Sequence, residues 1–68
     1  MPIIQVNMLE GRTIEQKRKL VSGITTVVID ALGVQAEQVR VMIHEMGKDD
    51  YAIGGKTAAE RGMTTSPK

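Results

Sequence analysis

Cysteine is absent from this chain of 68 residues, which excludes disulfides and thiolate metal sites. One histidine, His44, leaves too few ligands for a zinc cluster, so no metal is expected. Tryptophan and phenylalanine are missing too, and Tyr51 is the single aromatic residue. Any core must therefore be drawn from Val, Ile, Leu, Met and Ala. No apolar run approaches the roughly 20 residues of a bilayer span, so no membrane partner is expected. No basic stretch leads into an apolar one as in a secretory signal, and the cytoplasm is the default compartment. Net charge is only +1, with acids and bases interleaved. A basic stripe with stacking aromatics is lacking, which argues against a nucleic-acid partner.

So short a chain lies near the limit at which one core sustains a fold. With disulfides and metals excluded, oligomerisation is the support that remains. Residues 1–62 are expected to form one domain, and residues 63–68, MTTSPK, read as a flexible C-terminal tail.

What is present divides into a few elements. In PIIQVNML, residues Ile4, Val6 and Met8 alternate with Ile3, Gln5 and Asn7, the pattern of a half-buried strand. Gly11 then breaks the run. Thr13 followed by Gln16 fits a capping box at a helix start. Leu20, Ile24, Val27, Val28, Ala31 and Leu32 recur at helical spacing, and Gly33 is placed to end the helix. Ile14, Val21 and Ile29 make a smaller second stripe, suited to scattered surface positions or to a subunit contact. Lys17, Arg18 and Lys19 read as a solvated helix turn.

QVRVMIHEM, residues 38–46, reads as a second strand, with Val39, Val41 and Ile43 on one face and Arg40, Met42 and His44 on the other. Strand, helix and strand predict a βαβ unit with parallel strands and a right-handed crossover. Gly54-Gly55 in AIGGK predicts a tight C-terminal hairpin. The fold class is thus α/β (α+β). Two strands and one helix bury too little surface alone. Ile3, Met42 and Met46, on the sheet face away from the helix, are read as a packing surface for other subunits.

The candidate chemistry starts from MP at the head of the first strand. A proline here is tolerated because no ladder donor is needed. If Met1 is removed, however, the Pro2 nitrogen becomes a secondary amine and hence a base. Arg12 sits behind the glycine turn at the mouth of the helix, where a solvated charge is the plainer reading. Arg40 lies between two valines, where an arginine snorkelling from an interface is the plainer reading. His44 reads as a surface or interface residue. Tyr51 reads as a small apolar anchor with its hydroxyl toward solvent. Together Pro2, Arg12, Arg40 and Tyr51 make a coherent site that needs neither metal nor cofactor. The amine moves protons, the guanidinium forks take carboxylate and oxo groups, and the aromatic ring supplies a wall.

Pro2 with IIQVNMLEGRT, then VRVMIHEM, then Tyr51 before IGG resembles the 4-oxalocrotonate (2-hydroxymuconate) tautomerase family of the tautomerase superfamily. The resemblance runs from Pro2 to about Ala59. It implies a tautomerase-like βαβ unit with a C-terminal hairpin, assembled as a homo-hexamer, a trimer of dimers, with active sites at subunit boundaries. It further implies a keto–enol isomerase of small carboxylate or 2-oxo acids, such as those of aromatic hydrocarbon catabolism. Pro2 would be the general base, and Arg40 and Arg12 would handle the 2-oxo group and the carboxylates. Tyr51 falls where that family typically has Phe. An α-amino group has a reference pKa of about 7.7–8.0, a prolyl amine starts higher, and nearby arginines would lower it. Two other readings remain: hydration, dehalogenation or decarboxylation of small unsaturated acids by the same proline, or a non-catalytic subunit of the same fold.

Overall fold

Seven residues near the start of the chain, Ile3–Leu9, form strand β1. Its alternation has a physical consequence: Ile4, Val6 and Met8 are half-buried, whereas Ile3, Gln5 and Asn7 are exposed. The structure, a computed structural model, describes residues 1–63. Strand β2, Arg40–Met46, pairs in parallel with β1, with Ile3 opposite Arg40 and Leu9 opposite Met46. Partners in this register share a face, so Val41 and Ile43 join the half-buried side. The expected second strand began at Gln38, but the observed one begins at Arg40. Ala36–Gln38 instead close a 3-10 turn, in which the Gln38 N–H donates to the Gln35 carbonyl at 3.0 Å.

Helix α1, Ile14–Leu32, carries the parallel crossover. Its capping box is complete: the Gln16 N–H donates to Thr13 Oγ1 at 3.1 Å, and the Thr13 N–H donates to Gln16 Oε1 at 2.9 Å. Such a cap is worth about 1 kcal/mol. The β-branched run lowers helix propensity, but its hydroxyls are absorbed within the helix. Thr25 Oγ1 donates to the Val21 carbonyl at 2.8 Å and Thr26 Oγ1 to the Ser22 carbonyl at 3.1 Å. At the other end the Gly33 N–H donates to the Ile29 carbonyl at 2.9 Å.

The helix face is less covered than its pattern predicts. Leu20, Ile24 and Val28 are half-buried, yet Val27 remains 65% exposed and Leu32 61%. Two strands span only about 10 Å, narrower than the apolar arc of the helix, so the flanks stay open. Val21 and Ile29 of the smaller stripe are half-buried and Ile14 is exposed. Lys17 keeps part of its side chain in solvent, at 29% exposed, but it is also paired. It reaches across to β2 and pairs with Glu45 Oε1 at 2.9 Å.

Beyond β2 the chain forms the expected hairpin of β3, Ala52–Ile53, and β4, Lys56–Thr57. Gly54 and Gly55 take φ of 62° and 86°, the double positive φ that a two-residue primed turn demands. The tail expected from Met63 onward lies outside the described residues except for Met63 itself. That residue is half-buried and donates its N–H to the Ala58 carbonyl at 3.0 Å.

Among the described residues, Ala58 alone is fully buried. The chain carries 5150 Å² of accessible surface, where a monomer of its mass presents about 4200 Å². Ile3 and Met42 are exposed on the outer sheet face, at 63% and 51%. Met46 departs from the expectation: it is half-buried because the segment after β2 folds back over it, with Tyr51 and Met63 lining the same cleft. No helix among the described residues is long and apolar enough to cross a membrane.

Candidate active site

The parallel register puts two of the four candidate residues at one end of the sheet. Pro2 directly precedes β1 and Arg40 opens β2. The Arg40 N–H donates to the Pro2 carbonyl at 3.0 Å, extending the ladder by one bond past β1. The Arg40 guanidinium donates through Nη1 to the Glu37 carbonyl. Pro2 is half-buried, and Met1 before it is exposed. While Met1 is attached, the Pro2 nitrogen is a tertiary amide with no usable basicity.

Arg12 and Tyr51 stand at the other end. Seven residues of β1 at about 3.3 Å each separate the two ends by roughly 20 Å. The Glu10 N–H donates to the Met46 carbonyl at 2.8 Å, closing the sheet there. Gly11 then turns the chain at φ 124°, a conformation that side-chain-bearing residues avoid, and delivers Arg12 to the mouth of α1. Arg12 lines a cleft of about 280 Å³ with Met8, Gln16, Lys17 and Leu20. Arg12, Gln16 and Leu20 recur every four residues, so this wall is one face of the helix start.

Tyr51 lines a smaller cleft of about 210 Å³ with Asn7, Met8, Leu9, Met46 and Met63. Its main chain is fixed, since the N–H of buried Ala58 donates to the Tyr51 carbonyl at 2.7 Å. The residue is a little over one third exposed, at 38%. Met8 lines both clefts, so the Arg12 and Tyr51 walls adjoin. Met63 was assigned to the tail on sequence, and its isolation after Gly62 gave no signal of a packing role.

The chain therefore carries its four candidate residues in two groups, Pro2 and Arg40 at one end of the sheet and Arg12 and Tyr51 at the other. His44 takes no part in either: it is exposed on the outer sheet face opposite Asn7. Glu37, whose carbonyl accepts from the Arg40 guanidinium, was also missed, as was the turn closed by Gln38. The three-residue spacing of Gln35 and Gln38 is a legible capping pattern, but it lay hidden beneath the strand alternation that follows.

Comparison with known proteins adds an independent line. Residues 2–61 match the family described as Tautomerase enzyme. The chain is 48% identical over 60 residues to the 2-hydroxymuconate tautomerase of Bacillus subtilis (strain 168), covering 88% of this chain and 97% of that one. Among solved structures, a 4-oxalocrotonate tautomerase isozyme from Methylibium petroleiphilum matches with a TM-score of 0.86 at 51% identity, over 90% of this chain and 95% of that one. A heterohexameric 4-oxalocrotonate tautomerase from Chloroflexus aurantiacus J-10-fl matches with a TM-score of 0.83 at 33% identity, over 88% and 97%.

Proposed function

This chain belongs to the tautomerase family, whose named relatives are isomerases, and from that premise we propose the reaction and its residues. The protein interconverts enol and keto forms of small 2-hydroxydienoate or 2-oxo acids, 2-hydroxymuconate among them, with Pro2 as the general base. Removal of Met1 frees the Pro2 nitrogen as a secondary amine. The amine takes the proton of the 2-hydroxyl group. The oxygen's electron pair then forms the 2-oxo group, the double bonds shift, and the proton returns from Pro2 to a carbon of the chain. Atoms and electrons balance without a cofactor.

Arg40 bears the negative charge that develops on the 2-oxygen, a stabilisation that grows in the transition state. Arg12 grips the distal carboxylate and orients the carbon chain. Tyr51 supplies an apolar wall. The observation that supports this reading is the 3.0 Å bond from the Arg40 N–H to the Pro2 carbonyl, which joins the main chains of the two residues at one end of the sheet.

The roughly 20 Å between the two groups requires that Arg12 and Tyr51 reach the base from another copy. The exposed Ile3, Ile14, Val27 and Met42 supply apolar surface for that assembly. We take the assembly to be a homo-hexamer in the cytoplasm.

The test compares processed protein with a Met1-retaining preparation of equal oligomeric state, identified by intact mass, on 2-hydroxymuconate. Positioned acid–base groups contribute about 10²- to 10⁴-fold, and a loss of that size is expected when Met1 stays. Equal activity in both forms rules out Pro2 as the base. A folded monomer of 7.4 kDa at micromolar concentration would remove the shared-site arrangement.

A further inference from the structure

We infer that Gln38 is a positioning residue that sets the Arg40 guanidinium through the short turn before β2. This rests on the reading that Arg40 stabilises the oxygen of the substrate.

The argument follows the carbonyls of the turn. In a 3-10 turn each carbonyl accepts from the N–H three residues on. The Gln35 carbonyl takes the Gln38 N–H at 3.0 Å, and the Ala36 carbonyl takes the Val39 N–H at 3.1 Å. The Glu37 carbonyl is next in line for the Arg40 N–H. That N–H is diverted to the Pro2 carbonyl, because at Arg40 the chain enters the sheet. Glu37 is left with a terminal acceptor of the kind that ends of helical turns leave over. The Arg40 side chain takes it through Nη1. Arg40 is thus tied at both ends, its main chain to Pro2 and its guanidinium to Glu37. A side chain with this many rotatable bonds would otherwise lose its rotamer freedom only on meeting substrate.

Gln38 holds the acceptor in place. Its Oε1 accepts the Gln35 N–H at 2.9 Å, so Gln35 and Gln38 are joined by a side-chain bond as well as by the main-chain bond of the turn. Gln38 is exposed, and its side chain is held by this bond. The direction of the Glu37 carbonyl therefore depends on an amide that never needs to touch substrate.

The test is Gln38→Met in processed protein, which keeps length and removes the acceptor, assayed beside Arg40→Ala and the double variant on 2-hydroxymuconate. Gln38→Met is expected to lower kcat about three- to tenfold, the span of one ordinary hydrogen bond, with KM little changed. In the double variant it is expected to cost nothing beyond Arg40→Ala, because neighbours acting through one group are non-additive. An additive loss, or an unchanged kcat, overturns the inference. If Arg40→Ala itself retains full activity, the proposed role of Arg40 fails first. Should Gln38→Met not assemble, side-chain NMR of the wild-type protein decides. Hindered rotation of the Arg40 guanidinium in the absence of substrate supports the tie to Glu37, and free rotation overturns it.

Discussion

The two ends of the sheet differ in how their functional groups are held. At the Pro2 end, hydrogen bonds within one chain fix the arginine: Arg40 is bonded through its N–H to Pro2 and through its guanidinium to Glu37. At the opposite end the main chain is fixed as firmly, by the Gln16–Thr13 cap and by the bond from Ala58 to Tyr51. The Arg12 and Tyr51 side chains, however, line open clefts and have no hydrogen bond to any described residue. One end is organised within the single chain, whereas the other presents unbonded side chains on a rigid frame. Under the proposed function, that division would let Arg40 meet charge at a fixed oxygen while Arg12 grips acids of different length.

Arg40→Ala should give the largest effect among the variants that sharpen this contrast. Losing an oxyanion donor costs about 10²- to 10³-fold, and the loss should fall on kcat. Steady-state kinetics on variant protein with the wild-type oligomeric state checks it. Arg12→Ala should cost about 10- to 100-fold, as charge-assisted hydrogen bonds do, and KM should rise at least as much as kcat falls. Mixing the two variants through dissociation and reassembly should restore activity above either parent, because some sites then receive Arg40 from one copy and Arg12 from another. Mixed assemblies with no gain would break the comparison, since both arginines would then serve the same copy.

Smaller effects probe the far end. Tyr51→Phe should change kcat/KM by less than about tenfold if the ring acts only as a wall. A larger loss would mean that the hydroxyl meets the substrate. Thr13→Ala should lower stability by about 1 kcal/mol, read from denaturant midpoints at fixed protein concentration. Because the cap sits next to Arg12 and far from Arg40, any kinetic change should appear in KM. A drop in kcat alone would show that the two ends are coupled through the helix.

Much of this was legible from short-range pattern. The capping box at Thr13 and Gln16, the glycine turn at Gly54-Gly55 and the alternation in β1 each depend on residues a few positions apart, and each appears as read. The misreadings share a different cause. Gln38 and Val39 look like strand residues in sequence, but a main-chain bond from Arg40 to Pro2 decides where the sheet begins. Lys17 looks solvated until β2 brings Glu45 within 2.9 Å, and Met63 looks like tail until the hairpin returns it to Met46 and Tyr51. Each depends on a partner distant along the chain.

The sequence by itself determined the elements and the candidate residues and raised the expectation of a partner, because propensity, capping and apolar supply are local or summed properties of the chain. Only the tertiary structure decided that those residues divide between two ends of the sheet. The parallel crossover puts both strand starts at one end and both strand ends at the other. Seven residues of extended backbone hold those ends roughly 20 Å apart, beyond the reach of any side chain.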